Sequence, residues 1–243
     1  MRYNIITVIN SDYFVFGKIF VNSFYDNINL NNIHKLYIYD TGLSDEDKRY
    51  LSGFPQLEIV SSLLNTKFVK LHDKDWCKNV YSKTSFLHQV IEKDLLPTIM
   101  IDSDCLFLND FFNLIPKKFD FVACSRGKKA CTPYIASFFV INSIEKAAAF
   151  INDWHKEMRY VIRTFKESPA LCKLISKGIY NVGFIPEELI SFTGTDITEK
   201  VKIVHMKSTR ELQTIEQRIN QPHLIKYIEK YYNLQPIVTY ETL

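Results

Sequence analysis

The stretch Pro97-Thr98-Ile99-Met100-Ile101-Asp102-Ser103-Asp104-Cys105-Leu106-Phe107-Leu108 constrains this chain more than any other. A short apolar run bounded by proline, with apolar side chains on both faces, reads as a buried strand of a parallel sheet covered by helices above and below. The run stops at two carboxylates. Residues i and i+2 of an extended chain point to the same face, so Asp102 and Asp104 are expected to project together, with Ser103 turned away. Two like charges at the end of a buried strand repel, and each is costly to desolvate. A divalent cation is the simplest compensation, because hard cations take carboxylate oxygens. The expectation is a metal site at the C-terminal end of a central strand; the bland alternative is a strand-end turn with two solvated aspartates. D-x-D alone is weak and occurs three times here. Asp45-Asp47 falls at a helix start and Asp73-Asp75 in a polar, Lys-rich segment; only Asp102-Asp104 follows a buried-strand pattern.

The rest of the chain supplies the sheet that such a strand needs. Tyr3 to Ile9 predicts a strand, and Asn10-Ser11-Asp12 an N-cap. Phe16, Ile19, Phe20 and Phe24 then recur at helical spacing. His34 to Tyr39 predicts a second strand, and Ser44 with Asp47 a capping box whose helix stops at Gly53. A third strand is expected at Leu57 to Val60, a helix around Lys78 to Ile91, and then the strand that leads to Asp102. This alternation means βαβ units and a largely parallel sheet. Further strands are expected at Phe119–Cys124, Ile135–Ile141, Ile179–Ile185 and Val201–Val204. A helix capped by Ser143 carries Phe150, Ile151, Trp154, Met158, Val161 and Ile162 on one side, and another runs from Ser168-Pro169 to Gly178. An amphipathic helical tail follows from about Glu211 to Tyr232.

The 243 residues suit one α/β domain, read as a core over 1–210 and a helical tail over 211–243 packed on the same domain. A net charge of +3 without a Lys/Arg run argues against a nucleic-acid partner. Five scattered cysteines with no C-x-x-C pair read as free thiols in a reducing, cytoplasmic setting. No signal peptide and no apolar run of transmembrane length is expected.

In an open parallel sheet, ligands bind beyond the carboxyl ends of strands where the strand order reverses. With the order 3-2-1-4, the ends at Asn10-Ser11-Asp12 and Asp102-Ser103-Asp104 lie side by side. A nucleotide on the first and a metal on the second would then meet at a diphosphate.

The motifs Ile5-Ile6-Thr7-Val8-Ile9-Asn10-Ser11-Asp12-Tyr13-Phe14, Gly17, Tyr39-Asp40-Thr41-Gly42-Leu43-Ser44, Tyr81-Ser82-Lys83, Ile101-Asp102-Ser103-Asp104 and Val204-His205-Met206-Lys207 follow one another in this order. In them the chain resembles GT-A nucleotide-sugar glycosyltransferases of the glycogenin and lipopolysaccharide galactosyltransferase group, over roughly residues 3 to 210. The D-x-D with a late strand-end histidine is the specific part. The resemblance implies that Val8, Asn10, Ser11 and Phe14 hold the uridine, with Phe14 stacked on uracil. It implies that Lys83 lies near the ribose and diphosphate, and that Asp102 contacts ribose and metal beside Ser103. Asp104 and His205 would ligate Mn²⁺ (or Mg²⁺), and Lys207 would touch phosphate.

The family's Gly and Lys-Pro-Trp after the late histidine are absent, replaced here by Met206-Lys207-Ser208. Its Asn-Ser-Gly and Asp-Gln, which touch the donor sugar, are Ile135-Ala136-Ser137 and Glu167-Ser168. The residues alone also carry plainer readings. His205 can be structural, Lys83 a solvated position on an amphipathic helix, Phe14 core, and Asn10 with Ser11 only a helix cap. Trp76, Trp154 and Glu187-Glu188 can line an acceptor site or belong to core and surface. The expectation is a metal-dependent glycosyltransferase that moves a sugar from a UDP-sugar to a hydroxyl of a glycan or protein, with Asp102 and Asp104 as its catalytic pair. The alternatives are a GT-A domain that binds nucleotide without turnover and a sugar-1-phosphate nucleotidyltransferase. The latter would want a Gly-rich basic loop where Asn10-Ser11-Asp12-Tyr13 stands.

Overall fold

The structure, a computed structural model, describes residues 1–62, 74–127, 130, 132–160, 167–186, 189–192, 197–208, 212 and 214–234. The strands are β1 (Tyr3–Ile9), β2 (Ile33–Asp40), β3 (Leu57–Ser61), β4 (Thr98–Ile101), β5 (Cys105–Phe107), β6 (Phe121–Ser125), β7 (Tyr134–Ile141), β8 (Val182–Pro186), β9 (Ile190–Phe192) and β10 (Ile203–His205). The helices are α1 (Phe14–Asn27), α2 (Asp45–Leu51), α3 (Lys74–Asp94), α4 (Ile144–Tyr160), α5 (Glu167–Ser176), α6 (Ile215–Ile219) and α7 (Ile225–Tyr232). Seven strands form one sheet in the order β3-β2-β1-β4-β7-β6-β8. All pairings are parallel except the two made by β7, which runs against β4 and β6. The first four strands stand in the 3-2-1-4 order, the condition for bringing the ends of β1 and β4 side by side, so the switch point lies between β1 and β4.

Alternation along the strands divides the core. Ile5, Ile9, Ile99 and Ile101 pack with Phe20 and Phe24 of α1 and Leu51 of α2 on one face. Ile6, Met100, Phe121 and Phe139 face α3, α4 and α5 on the other, against Phe86, Leu87, Phe150 and Trp154. Strands covered on both sides are apolar throughout, as the sequence requires. Helix α1 is apolar nearly all round because its outer side is covered too. Phe16 and Ile19 pack with Leu106 of β5, Val204 of β10 and Leu224, Ile228 and Tyr231 around α7. Gly17 lets α1 approach β1 closely, since a Cβ there would sit 3.2 Å from Ile9 and Phe14 side-chain atoms.

Several expected boundaries shift. Helix α2 ends at Leu51, before Gly53, and α5 starts at Glu167, one residue ahead of Ser168. Gly178, with φ of 68°, closes the turn after α5. The continuous tail helix is two short ones, α6 and α7, because Asn220-Gln221-Pro222 interrupts it. Positions Val161, Ile162, Asp73 and Glu187-Glu188, and the side chain of Trp76, lie outside the described residues. Among the described residues, no helix is long and apolar enough to cross a membrane.

Candidate metal and nucleotide site

Strand β4 stops at Ile101, so Asp102, Ser103 and Asp104 lie in the tight connection to β5 and not on an extended strand. The Asp102 amide donates to the Ser137 carbonyl of β7 at 3.0 Å, which pins the start of the connection. Its end is fixed by a small second sheet, β5-β10-β9, where His205 stands opposite Cys105. The Met206 amide donates to the Asp104 carbonyl at 2.8 Å. This pairing carries His205, distant in sequence, onto the two aspartates. Its Nε2 lies 3.1 Å from Asp104 Oδ1 and 3.6 Å from Asp102 Oδ2. One ligand atom from each of the three residues falls within a 4.8 Å cluster. At metal–ligand bonds of roughly 2.1–2.3 Å, adjacent octahedral ligands sit roughly 3 Å apart, so two carboxylates and a buried imidazole fit a divalent cation in type and spacing.

Each aspartate also has a cation from the protein. Lys83 of α3 is only 7% exposed, which corrects the solvated reading; its Nζ lies 2.6 Å from Asp102 Oδ1 and 2.9 Å from the Glu167 carboxylate. Burial alone would lower the Lys83 pKa, but the charges of Asp102 and Glu167 outweigh it and hold the ammonium above its ordinary value. Burial raises the Glu167 pKa; Lys83 opposes this, the Asp102 charge adds to it, and the net direction is upward. On the other side, Arg218 of α6 donates to Asp104 Oδ2. Its Nε donates to the Met206 carbonyl at 2.6 Å, and the guanidinium lies 4.2 Å from the Phe16 ring centroid. Burial works to raise the Asp104 pKa, yet the neighbouring His205 and Arg218 hold this carboxyl well below the usual carboxylate range.

The junction after β1 lies next to this cluster. Val8, half-buried, is the penultimate residue of β1. Asn10 Oδ1 accepts from the Tyr13 amide at 3.0 Å and so caps the turn into α1. Ser11 Oγ donates to Asp47 and accepts from the Ser44 amide at 2.7 Å, joining this junction to the α2 capping box. Phe14 is buried and meets the Tyr50 ring edge-on at 5.8 Å. Lys207 is exposed just past His205, and Ser103 is half-buried in the connection. The two stretches that depart from the family pattern are neighbours, since the Ala136 amide donates to Ser168 Oγ at 3.0 Å. Trp154 belongs to the core, where its indole N–H donates to the Glu167 carbonyl at 3.0 Å. Two members of the site were not assigned to it from the sequence: Glu167, which stood out only as a departure from the family's Asp-Gln, and Arg218, which belongs to no motif. The nearest signal was the spacing of Arg218 three residues after Ile215, on the buried side of a helix whose Thr214–Gln217 capping box is written in the sequence.

A doubly covered sheet with paired aspartates at its switch point and a histidine closing on them has the architecture of the GT-A fold. Residues 55–225 match the nucleotide-diphospho-sugar transferase family, and the chain belongs to that family. No curated protein matches the sequence. Among solved structures, it is similar to the galactosyltransferase LgtC in complex with donor and acceptor sugar analogues, at 11% identity and a TM-score of 0.65, over 95% of this chain and 97% of that one. It is also similar to the glycosyltransferase GlyE of Streptococcus pneumoniae TIGR4, at 12% identity and a TM-score of 0.67, over 97% of this chain and 61% of that one. The bifunctional glycosyltransferase WbbM aligns at 14% identity and a TM-score of 0.60 over 94% of this chain, which spans about half (51%) of WbbM's length.

Proposed function

We propose that the chain is a divalent-metal-dependent glycosyltransferase that moves a sugar from a UDP-sugar to a hydroxyl group of a glycan or protein, in the cytoplasm. The observation that carries the reading is the meeting of Asp102, Asp104 and His205 beside the β1–α1 junction. That donor set suits Mn²⁺ or Mg²⁺, which when bound would supply Lewis-acid stabilisation to the departing diphosphate. Asp104 and His205 would hold the ion, and Asp102 would reach both ion and ribose. Val8, Asn10 and Ser11, with Phe14 beneath them, form the nucleoside end. Lys83, Ser103 and Lys207 flank the diphosphate, and the N-terminal end of α1 favours its negative charge. Family membership supports a nucleotide-diphospho-sugar donor.

The test is thermal shift with UDP, GDP and CMP, with and without Mn²⁺. Native-state ligands raise the melting temperature by mass action, by about 2.7 kcal/mol of stability at a hundredfold excess over Kd. UDP with Mn²⁺ should stabilise the protein more than either alone, and GDP or CMP should do less. Equal shifts for UDP with and without Mn²⁺ would remove the metal from the reading. The departures at Ile135-Ala136-Ser137 and Glu167-Ser168 favour a second reading, nucleotide binding without turnover. It gives the same stabilisation but no UDP release from any UDP-sugar.

A further inference from the structure

We infer that Arg218 is a resident counter-cation that makes metal binding at Asp104 conditional on the donor's diphosphate. This rests on the metal site proposed above. Arg218 is 2% exposed, and its guanidinium is fixed on three sides: by Asp104 Oδ2, by the Met206 carbonyl and by the Phe16 ring. Tyr13 flanks it, with its ring centroid 5.7 Å away. Arginine is permanently charged and its planar fork is rigid, so this group neither titrates away nor swings aside readily. Lys83 holds Asp102 on the opposite side of the cluster. The protein thus supplies one fixed positive charge to each carboxylate of the candidate site. Such compensation keeps the two aspartates together when no ion is present.

The same charge opposes a divalent cation. An ion shared by Asp104 Oδ1, Asp102 Oδ2 and His205 Nε2 would sit within a few ångströms of the guanidinium. Like charges at that range repel strongly in a poorly solvated site. A nucleoside diphosphate reverses the balance, because its oxygens bring negative charge that coordinates the ion and offsets the field of the enclosed guanidinium. The ion then binds well only with nucleotide, and nucleotide only with the ion. Arg218 acts through Asp104 and the local field, as a positioning and specificity-determining residue.

Two variants separate charge from scaffolding. Arg218→Gln removes the charge but keeps an N–H donor for Asp104; Arg218→Lys keeps the charge. Mn²⁺ affinity is measured by calorimetry, with and without UDP, at neutral pH. For Arg218→Gln we expect Mn²⁺ to bind at least about tenfold more tightly without UDP, and the tightening caused by UDP to shrink by a similar factor. Arg218→Lys should keep both quantities within about threefold of the unsubstituted protein. Linkage provides a check, since the factor by which UDP tightens Mn²⁺ must equal the factor by which Mn²⁺ tightens UDP. If Arg218→Gln leaves UDP-free Mn²⁺ affinity unchanged or weaker, Arg218 is only a strut and the inference is overturned. If Arg218→Gln does not fold, Arg218→Lys decides: retained coupling supports the charge role, and lost coupling overturns it. Asp104→Asn, which keeps an oxygen for Arg218, separates the two levels. Mn²⁺ binding with UDP that survives this change overturns the metal site and the inference together. Binding that needs Asp104 but ignores the loss of charge at position 218 overturns the inference alone.

Discussion

An ammonium enclosed between two carboxylates, as Lys83 is between Asp102 and Glu167, holds together acids that could not share a dry site by themselves. Lys83→Met keeps most of the side-chain volume and removes that charge. Because it strips a partner from a buried ionic cluster, it should cost roughly 3–5 kcal/mol, read from the urea midpoint at unchanged m-value. A loss below about 0.5 kcal/mol would return Lys83 to the class of surface lysines. The sequence could not reveal this enclosure. On α3 the lysine has ordinary helical spacing, and its two acids lie 19 and 84 residues away. Asp102, Asp104 and His205 were legible for the opposite reason. Each ends an apolar run, and polar groups at the ends of buried strands have few plausible destinations. Arg218 was not, since its spacing three residues after Ile215 does not by itself say that a charged side chain turns inward.

Helix α5, which begins at Glu167, packs on α4, and a second buried ionic group ties these elements together. Glu157 of α4 is 4% exposed and faces Lys173 and Lys177 of the α5 region, with Lys173 Nζ at 2.7 Å. The hydrogen bond from Lys173, then that from Lys177, holds the Glu157 carboxyl below its ordinary value. A carboxylate depressed in the folded state adds stability above its unfolded pKa, about 4.3, and loses it as the pH falls through the folded value. Glu157→Gln should therefore cost about 1 kcal/mol at pH 7, a modest figure because both lysines are half-exposed and solvent screens them. The gap between the two melting curves should close as the pH drops from about 5 to 3; a gap that stays constant would exclude this pair as its source. Element type was largely legible for the long segments, whose periodicity of two or 3.6 is sustained. The three-residue strands β5 and β9 were missed because so short a run has no period to read. They are nonetheless the strands that frame β10 and deliver His205.

At the scale of the molecule, the alternation of strands and helices implied βαβ units and a largely parallel sheet, while the order β3-β2-β1-β4 entered only as a condition, one of the few arrangements that the crossover rule permits. The reversal of β7 was not legible, since a strand buried on both faces is equally apolar whichever way it runs. Among the described residues of the tail, Leu224 and α7 cover the outer side of α1. Leu224 is fully buried there, Asn22 of α1 donates to the Tyr231 carbonyl at 2.6 Å, and Lys230 pairs with Asp26 at 2.6 Å. This contact also carries α6, and with it Arg218, to Asp104. A tail so placed should unfold with the sheet and not ahead of it. Leu224→Ala removes buried methyl groups from the cluster of Phe16, Ile19, Val204 and Ile228, and should cost about 2–5 kcal/mol according to how far the site relaxes. Calorimetry should still give a single transition whose van't Hoff and calorimetric enthalpies agree. Mn²⁺-dependent UDP binding at low temperature should persist, because the substitution leaves the guanidinium's partners in place. A separate early transition, with the main one unmoved, would mean that the tail is a detachable element and that its covering of α1 contributes little to the stability of the fold.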